Sequence, residues 1–380
     1  KDLSMTSKTD HSHFFKNLFK ADLSKKQLLT GAVGGVFTAL ALSYWYKTKH
    51  SEDKTLYKVP PKDLVKESNV TAEEFVKVMH NYSEKFAESK IFEKILPRSF
   101  KDSTDVDKLL PNMHYSKKYD CSSLNKGVSD PIYDLLDRGG KRWRPILCFL
   151  IAEAFGKTIN DVIEIAGICE FIHNGSLVID DIEDQSQTRR GKPCIHLIHK
   201  LDVSINAGCL MFFAPFFYLQ KCGKYNQEMI EKFSQIYFEE MVSIHFGQAW
   251  DIVWHNTSQL NKLPDEPNYL QMTAHKTGVL ARMCARLTGE AIGLKKDHIQ
   301  KLARFAEKIG VAFQIQDDIL NIEGEEYKKT KGFSGEDIHE GKKSLLVIHS
   351  LKVGSENDKT RLLEILDSKT ENRDLIEEAI

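Results

Sequence analysis

Two acidic clusters stand far apart in the chain, Asp180-Asp181-Ile182-Glu183-Asp184 and Asp317-Asp318-Ile319-Leu320-Asn321, each inside an apolar stretch with helical spacing. The first and fifth residues of such a cluster lie four positions apart and share a helix face, so Asp180 and Asp184 can aim their carboxylates at one volume. Asp317 and Asn321 have the same spacing. Like charges crowded on one face repel each other and call for a cation, and hard oxygen ligands favour Mg2+ bridging to phosphate oxygens. The expected ligand is a polyanion held through metal ions.

Basic residues gather around these clusters. Arg189-Arg190-Gly191 follow the first one, and a helix continuing for a turn or two past Asp184 would keep both guanidiniums near the carboxylates. With those carboxylates given to metal, the natural partner of the guanidinium fork is phosphate. In Gly139-Gly140-Lys141-Arg142-Trp143-Arg144-Pro145 the glycine pair permits a close approach and Pro145 suits a helix start. Lys141 and Arg144 there form a candidate second anion site. Any one of these cations alone reads best as a solvated surface charge; their grouping beside two aspartate clusters is what favours a site.

Helices must position these groups. Apolar residues recur every three or four positions through 143–155, 161–179, 203–220, 228–247, 268–292, 296–320 and 343–351, without an Asn-Gly hairpin signal between alternating runs. The fold expected is all-α, a helical bundle, and no fixed-period repeat suggests a solenoid. The net charge of −1 argues against a nucleic-acid partner held by a basic surface. Seven cysteines are scattered without a CxxC pair, and read as free thiols in a reducing compartment, neither a disulfide framework nor a zinc site.

The first third of the chain differs. Residues 28–46 are 19 uncharged residues, about 28 Å as a helix and close to a bilayer core in length. Lys25, Lys26, Lys47 and Lys49 bracket them, and Tyr44, Trp45 and Tyr46 make an interfacial edge. A buried core helix is the blander reading, but Gly31, Gly34 and Gly35 suit a lipid-phase helix better. The expected organisation is a polar segment 1–27, a transmembrane helix 28–46, a linker 47–115 and a helical domain 116–380. Within the linker, Thr71 and Glu74 form a capping box, and Phe75, Val78, Met79, Tyr82 and Phe86 give a helix able to dock on the domain that follows.

The stretch 139–344 resembles the trans-isoprenyl diphosphate synthases, the polyprenyl synthetase family. GGKRWRP, HNGSLVIDDIEDQSQTRRGKP, GQAWD, KTG, FQIQDDILN and EDIHEGK occur in the family's order, and IDDIED with DDxxN is similar to the geranylgeranyl diphosphate synthase branch. The resemblance implies an isoprenoid synthase bundle around a central cavity, with Asp180, Asp181, Asp184, Lys276, Asp317 and Asp318 as the catalytic set. Asp180, Asp184 and Asp317 are then the Mg2+ ligands, with Asn321 in place of the commoner aspartate. It implies allylic diphosphate contacts from Arg189, Lys276, Thr277, Gln314, Lys331 and Lys342, and isopentenyl diphosphate contacts from Lys141, Arg144, His173 and Arg190. Read without the resemblance, His173 is better taken as a satisfied core histidine.

The implied reaction condenses isopentenyl diphosphate with an allylic primer (dimethylallyl, geranyl or farnesyl diphosphate), the allylic bond ionising between metals and cations. Ser176 and Gly175, four and five positions before Asp180, are expected on the face looking down the elongation channel. Their small size points to a geranylgeranyl or longer product, with Phe171, Ile172, Met211, Phe212 or Phe213 setting the stop. A terpene cyclase on the same fold is the alternative, and it has no need of Lys141, Arg144 and His173. The resemblance also implies a homodimer. The anchor is expected in the endoplasmic reticulum ahead of the mitochondrion, with the catalytic domain in the cytosol, since Asp2, Asp10 and Asp22 count against an acid-poor transit peptide. The chain opens on Lys1 and stops at Ile380, where the family continues through further helix, so shortened ends are expected.

Overall fold

The computed structural model describes residues 72–110, 118–257, 263–323 and 335–380. The expected membrane span at 28–46 and Lys331 lie outside the described residues. The chain enters through α1 (Ala72–Glu88), α2 (Ile91–Ile95), α3 (Ser103–Leu109) and α4 (Cys121–Leu124), which runs through a π-helical turn at Asn125–Ser129 into α5 (Asp130–Asp137). Tyr82, Phe86, Ile91, Ile95, Phe100 and Val106 are buried in the main core. The segment before residue 110 therefore packs against the helical domain, as expected of its docking helix.

The long apolar runs fold as α6 (Trp143–Ala154), α7 (Ile159–Glu183), α9 (Leu201–Lys221), α10 (Gln227–His255), α11 (Glu266–Thr273), α12 (Val279–Ala291), α13 (Lys296–Glu323) and α15 (Leu345–Val353). Short α8 (Ile195–His199), α14 (Glu336–Glu340), α16 (Glu356–Ser368) and α17 (Arg373–Ala379) complete the described helices. Local chemistry sets the starts. Thr158 and Asp161 close a capping box on α7, Asn226 caps α10, and Asp265 with Asn268 boxes α11.

α7 is apolar on nearly every side and accordingly occupies the centre, packed against α6, α9 and α12. α7 and α9 are both long and apolar enough to cross a membrane by length and composition. In α7 that apolar window is 72% buried inside the protein, which identifies it as a core helix, whereas in α9 only 39% is covered. A second, smaller core joins α14–α17 through Ile338, Val347, Leu351, Leu363, Leu366 and Ile376.

One crossing matters most for the site. Between α11 and α12 the helix widens into a π turn, Ala274–Gly278, which is wedged between α10 and α13. Gly247 on α10 lets the turn approach; a Cβ there would stand 2.6 Å from His275 C and 2.7 Å from Lys276 Cα. On the other side Gly310 of α13 meets Gly278 Cα, with a Cβ reaching 2.6 Å. Backbone against backbone is incompressible, so Gly247→Ala should lower stability by about 1–3 kcal/mol and displace Lys276. Thermal unfolding and turnover of G247A, set against Gly127→Ala, which meets nothing within 4 Å, check this.

Candidate active site

The bundle encloses a cavity of about 1730 Å3. Asp180, Asp184 and Asp317 all open into it, as do Lys276, Thr277, Gln314 and Lys342. Both acidic clusters thus face one space from opposite helices, α7 and α13. Gln248 of α10 donates to Asp180 Oδ1 at 3.0 Å and to Glu183 at 2.7 Å, so the C-terminal ends of α7 and α10 lie side by side. From that polar mouth the cavity continues along Ser176 and Leu177 of α7, Phe212 and Phe213 of α9, and Met241 and Phe238 of α10. Ten residues separate Phe238 from Gln248, so the apolar wall extends ~15 Å inward from the carboxylates.

At the mouth, buried lysines hold the aspartates. Lys276 Nζ donates to Asp180 Oδ1 at 3.1 Å and to Asp251 Oδ2 at 2.5 Å. Lys342 Nζ donates to Asp184 Oδ2 at 2.7 Å and lies 2.5 Å from Glu340. Burial opposes the charge on Asp180, yet Lys276, Lys342 and Arg189 win and hold its carboxyl far below the ordinary range. Lys276 and Lys342 are in turn held charged, against burial, by Asp180 and Asp251 and by Asp184 and Glu340. The donor set is all oxygen, and Asp184 Oδ1 is buried without a hydrogen-bond partner. That orphaned oxygen beside Asp180 fits a hard divalent cation.

A second cationic group lines the same cavity. Lys141 lies 5.0 Å from the Phe313 ring centre, Arg144 covers Trp143, and Trp143 stacks on Phe313. Arg190 donates to Asn174 Oδ1 at 3.0 Å and rests against Gly140, where a Cβ would stand 3.1 Å from its Nη2. Burial and the neighbouring Arg142 bring Arg190 down to about 10. His173 faces this group; burial and then Arg144, Arg190 and Arg142 keep its imidazole neutral, well below its usual pKa.

Several expected placements differ. α7 stops at Glu183, with Asp184 as its C-cap. The chain then turns back in a two-residue ribbon, β1 (Thr188–Arg189) against β2 (Lys192–Pro193). Its loop, Arg190-Gly191, has positive φ at both positions, the two-residue turn that matches strand twist. The ribbon carries Arg189 back onto Asp181, with a 2.7 Å bond from Nε and a second from Nη2, so the guanidinium is occupied by a buried carboxylate. Asp181 therefore orients Arg189 and does not line the cavity. Asp318 also points away: it accepts from Tyr269 at 2.6 Å and from Gln314 at 3.0 Å, buried behind the cavity wall. Asn321 is likewise engaged by the fold. Its side chain and carbonyl accept the backbone N–H groups of Asp337 and Gly335, clipping α14 to α13.

Deeper down, Gly175 faces α9, where a Cβ would strike Met211, while Ser176 remains on the cavity side. Phe171, Ile172 and Met211 belong to the core. Phe212 and Phe213 are the aromatic residues of that set which reach the cavity. Sequence reading assigned no role to Asp251, Gln248, Glu336, Asp337 or Glu340, all at the mouth. Glu336 and Glu340 repeat the four-residue acidic spacing used to find the first two clusters, so the same rule applied to EDIHEGK reaches them.

The family model for polyprenyl synthetase matches residues 125–380. A geranylgeranyl pyrophosphate synthase of Dictyostelium discoideum is 33% identical over 268 residues, covering 70% of this chain and 82% of its own. A short chain isoprenyl diphosphate synthase of Methanocaldococcus jannaschii is 36% identical over 246 residues, 65% of this chain and 73% of its own. Among solved structures, the geranylgeranyl pyrophosphate synthetase of Pyrococcus horikoshii Ot3 superposes with a TM-score of 0.64 at 29% identity, covering 80% of this chain and 84% of that one.

Burial, with Asp184 and Glu336 nearby, pushes the Glu340 carboxyl up to about 7 from an ordinary 4.5. The folded protein then binds more protons than the unfolded chain between those values, so its stability falls as pH rises from 4.5 to about 7. Denaturant titration of metal-free protein across that range should show this slope, and Glu340→Gln should flatten it; an unchanged slope in E340Q means other groups carry it.

Proposed function

Because the chain belongs to the polyprenyl synthetase family and is a trans-prenyltransferase, we propose that it condenses isopentenyl diphosphate with an allylic diphosphate, using Mg2+, to give geranylgeranyl diphosphate or a longer trans-polyprenyl diphosphate. The observation that carries this reading is the pair of separate cationic groups opening on one cavity. One group, Lys276 and Lys342, is ion-paired with the aspartates; the other, Lys141, Arg144 and Arg190, is held by Phe313, Trp143 and Asn174. Two diphosphates need two such sites, whereas a cyclase handles one.

Asp180, Asp184 and Asp317 would hold the metal, which when bound neutralises diphosphate charge as the allylic carbon–oxygen bond ionises. Lys276 and Lys342, released from their carboxylates, are placed to take up the leaving diphosphate. Lys141, Arg144 and Arg190 orient the second diphosphate, so that its double bond meets the allylic carbon. Neutral His173 can donate one hydrogen bond without adding positive charge beside the cation. Aromatic and aliphatic walls exclude water, which would otherwise capture the carbocation. Phe212 and Phe213, from their place on the wall, are the side chains a lengthening product meets.

Two assembly features belong to this reading. Phe213, Phe238, Val242 and Phe246 line the cavity and are also exposed, at 67%, 53%, 54% and 57%. A surface that is both cavity wall and apolar exterior is best covered by a second copy of the chain, giving a homodimer. Residues 28–46, with their lysine and aromatic flanks, anchor the protein, in the endoplasmic reticulum ahead of the mitochondrion, the catalytic domain facing the cytosol.

Purified protein given Mg2+, farnesyl diphosphate and labelled isopentenyl diphosphate should return a product of geranylgeranyl length or longer on chromatography after dephosphorylation. Asp317→Asn should cost at least about a hundredfold in turnover, and Phe212→Ala with Phe213→Ala should lengthen the product. Absence of any elongated product overturns the reading. Light scattering should find a dimer that Phe238→Arg splits, and removal of residues 1–46 should move activity from the membrane to the soluble fraction.

A further inference from the structure

Three cysteines remote in sequence meet in the core: Cys148 on α6, Cys169 on α7 and Cys284 on α12. Their sulfur atoms all lie within 4.8 Å of one another, and each residue is 0% exposed. A scattered-cysteine sequence gives no sign of this, because a local spacing rule tests only ligands that share one loop or helix. Three mutually packed helices assemble the group instead.

Packing alone accounts for buried thiols, which behave as small hydrophobes. Two neighbours are not explained that way. Thr288 is fully buried, and its hydroxyl has no hydrogen-bond partner in the ion-free protein. Arg144 is only 6% exposed, and its Nε is likewise unpartnered. An unsatisfied hydroxyl and an unsatisfied guanidinium nitrogen in a dry core ask for nearby negative charge. The electrostatic neighbours of Arg144 are Glu170 first and then Cys284 and Cys169.

We propose that the thiolates of Cys148, Cys169 and Cys284 bind one soft d10 cation, copper(I) or zinc, in a structural site behind Arg144. The dimensions allow it. Metal–sulfur bonds of about 2.3 Å in a planar three-sulfur site set the sulfurs about 4.0 Å apart, so the present triangle closes by less than an ångström per pair. Thiolate-only coordination selects copper(I) and zinc over the hard ions suited to the aspartate mouth. A three-coordinate dry site favours copper(I); three thiolates leave a net charge of one minus around zinc and two minus around copper(I), of which Arg144 balances one. Thr288 would donate to a bound sulfur, the outer partner such sites usually have. Binding converts three thiols to thiolates and releases three protons.

The test is independent of prenyl transfer. Full-length protein stripped with chelator is incubated anaerobically with copper(I) or with zinc, dialysed, and its metal counted against Cys169→Ala and Cys284→Ala, which control for ions held by carboxylates. The wild type should retain one more equivalent than either variant, with sulfur-only neighbours in X-ray absorption, and the ion retained at the lower free concentration identifies the occupant. With free ion at about 100 times Kd, alkylation of the three cysteines should slow roughly hundredfold and the thermal midpoint should rise. Equal metal content in wild type and variants overturns the proposal. Should a variant fail to fold, unchanged alkylation of the wild-type cysteines with and without ion overturns it equally.

Discussion

The organisation of this protein depends on one electrostatic constraint: several carboxylates must be kept ionised, close together and partly out of water. Burial alone would protonate them. At Asp180 and Asp251 the lysines prevent that. Lys276 and Lys342 each reach between two acidic partners on different elements, Asp180 with Asp251 and Asp184 with Glu340. The lysines occupy the aspartates in the ligand-free protein much as divalent ions would in the loaded one. In the proposed reaction, Asp180 and Asp184 would hold the metal, and Lys276 and Lys342, freed from them, would pair with phosphate, so that no charge is left bare.

Such an exchange demands that the lysine backbone be held rigidly, and the packing supplies this. The π turn carrying Lys276 is pinched between Gly247 and Gly310, positions where any side chain would meet main chain. π-helical turns are rare and occur mostly at functional sites, since they displace one residue from the regular helix face. Here the displacement brings Lys276 to Asp180 while Thr277 turns to Gln314 at 2.9 Å. Gln314 passes that order on to Asp318, which Tyr269 also holds. The second aspartate of the α13 cluster thus serves as a buried strut that fixes the helix from which Asp317 projects.

This division of labour marks the limit of what was legible in the sequence. Helical periodicity located the long helices almost to their ends, because apolar spacing is the same physics that buries them. Four-residue spacing placed Asp180 and Asp184 on one face for the same reason. The failures share a cause as well. Asp181 and Asp318, adjacent to cavity residues, are turned a hundred degrees away, and only their partners Arg189 and Tyr269 explain why a charge is tolerated there. Those partners arrive by tertiary contact: a ribbon that no Asn-Gly announced, and a tyrosine 49 positions distant. Asn321, which the resemblance sets in place of a ligand aspartate, has its amide clipping the next helix instead. The three-cysteine group was invisible on the same grounds, its members lying on three helices.

The apolar half of the cavity imposes a different requirement from the charged half. Charge can be balanced within one chain, as the lysines show, but a hydrocarbon channel needs continuous covering against water. α9 and α10 leave that covering unfinished: the same phenylalanines that face the channel face outward, and α9 is mostly unburied although it is one of the most apolar helices. Truncating these side chains to suit a solvated surface would open the channel and expose a carbocation to water. Keeping them large leaves an apolar outer face, and exposed patches of this kind mark interaction surfaces. The proposed dimer and the proposed chain elongation would therefore draw on the same residues, and a substitution that shortens the wall would also reduce the apolar surface offered to a second copy.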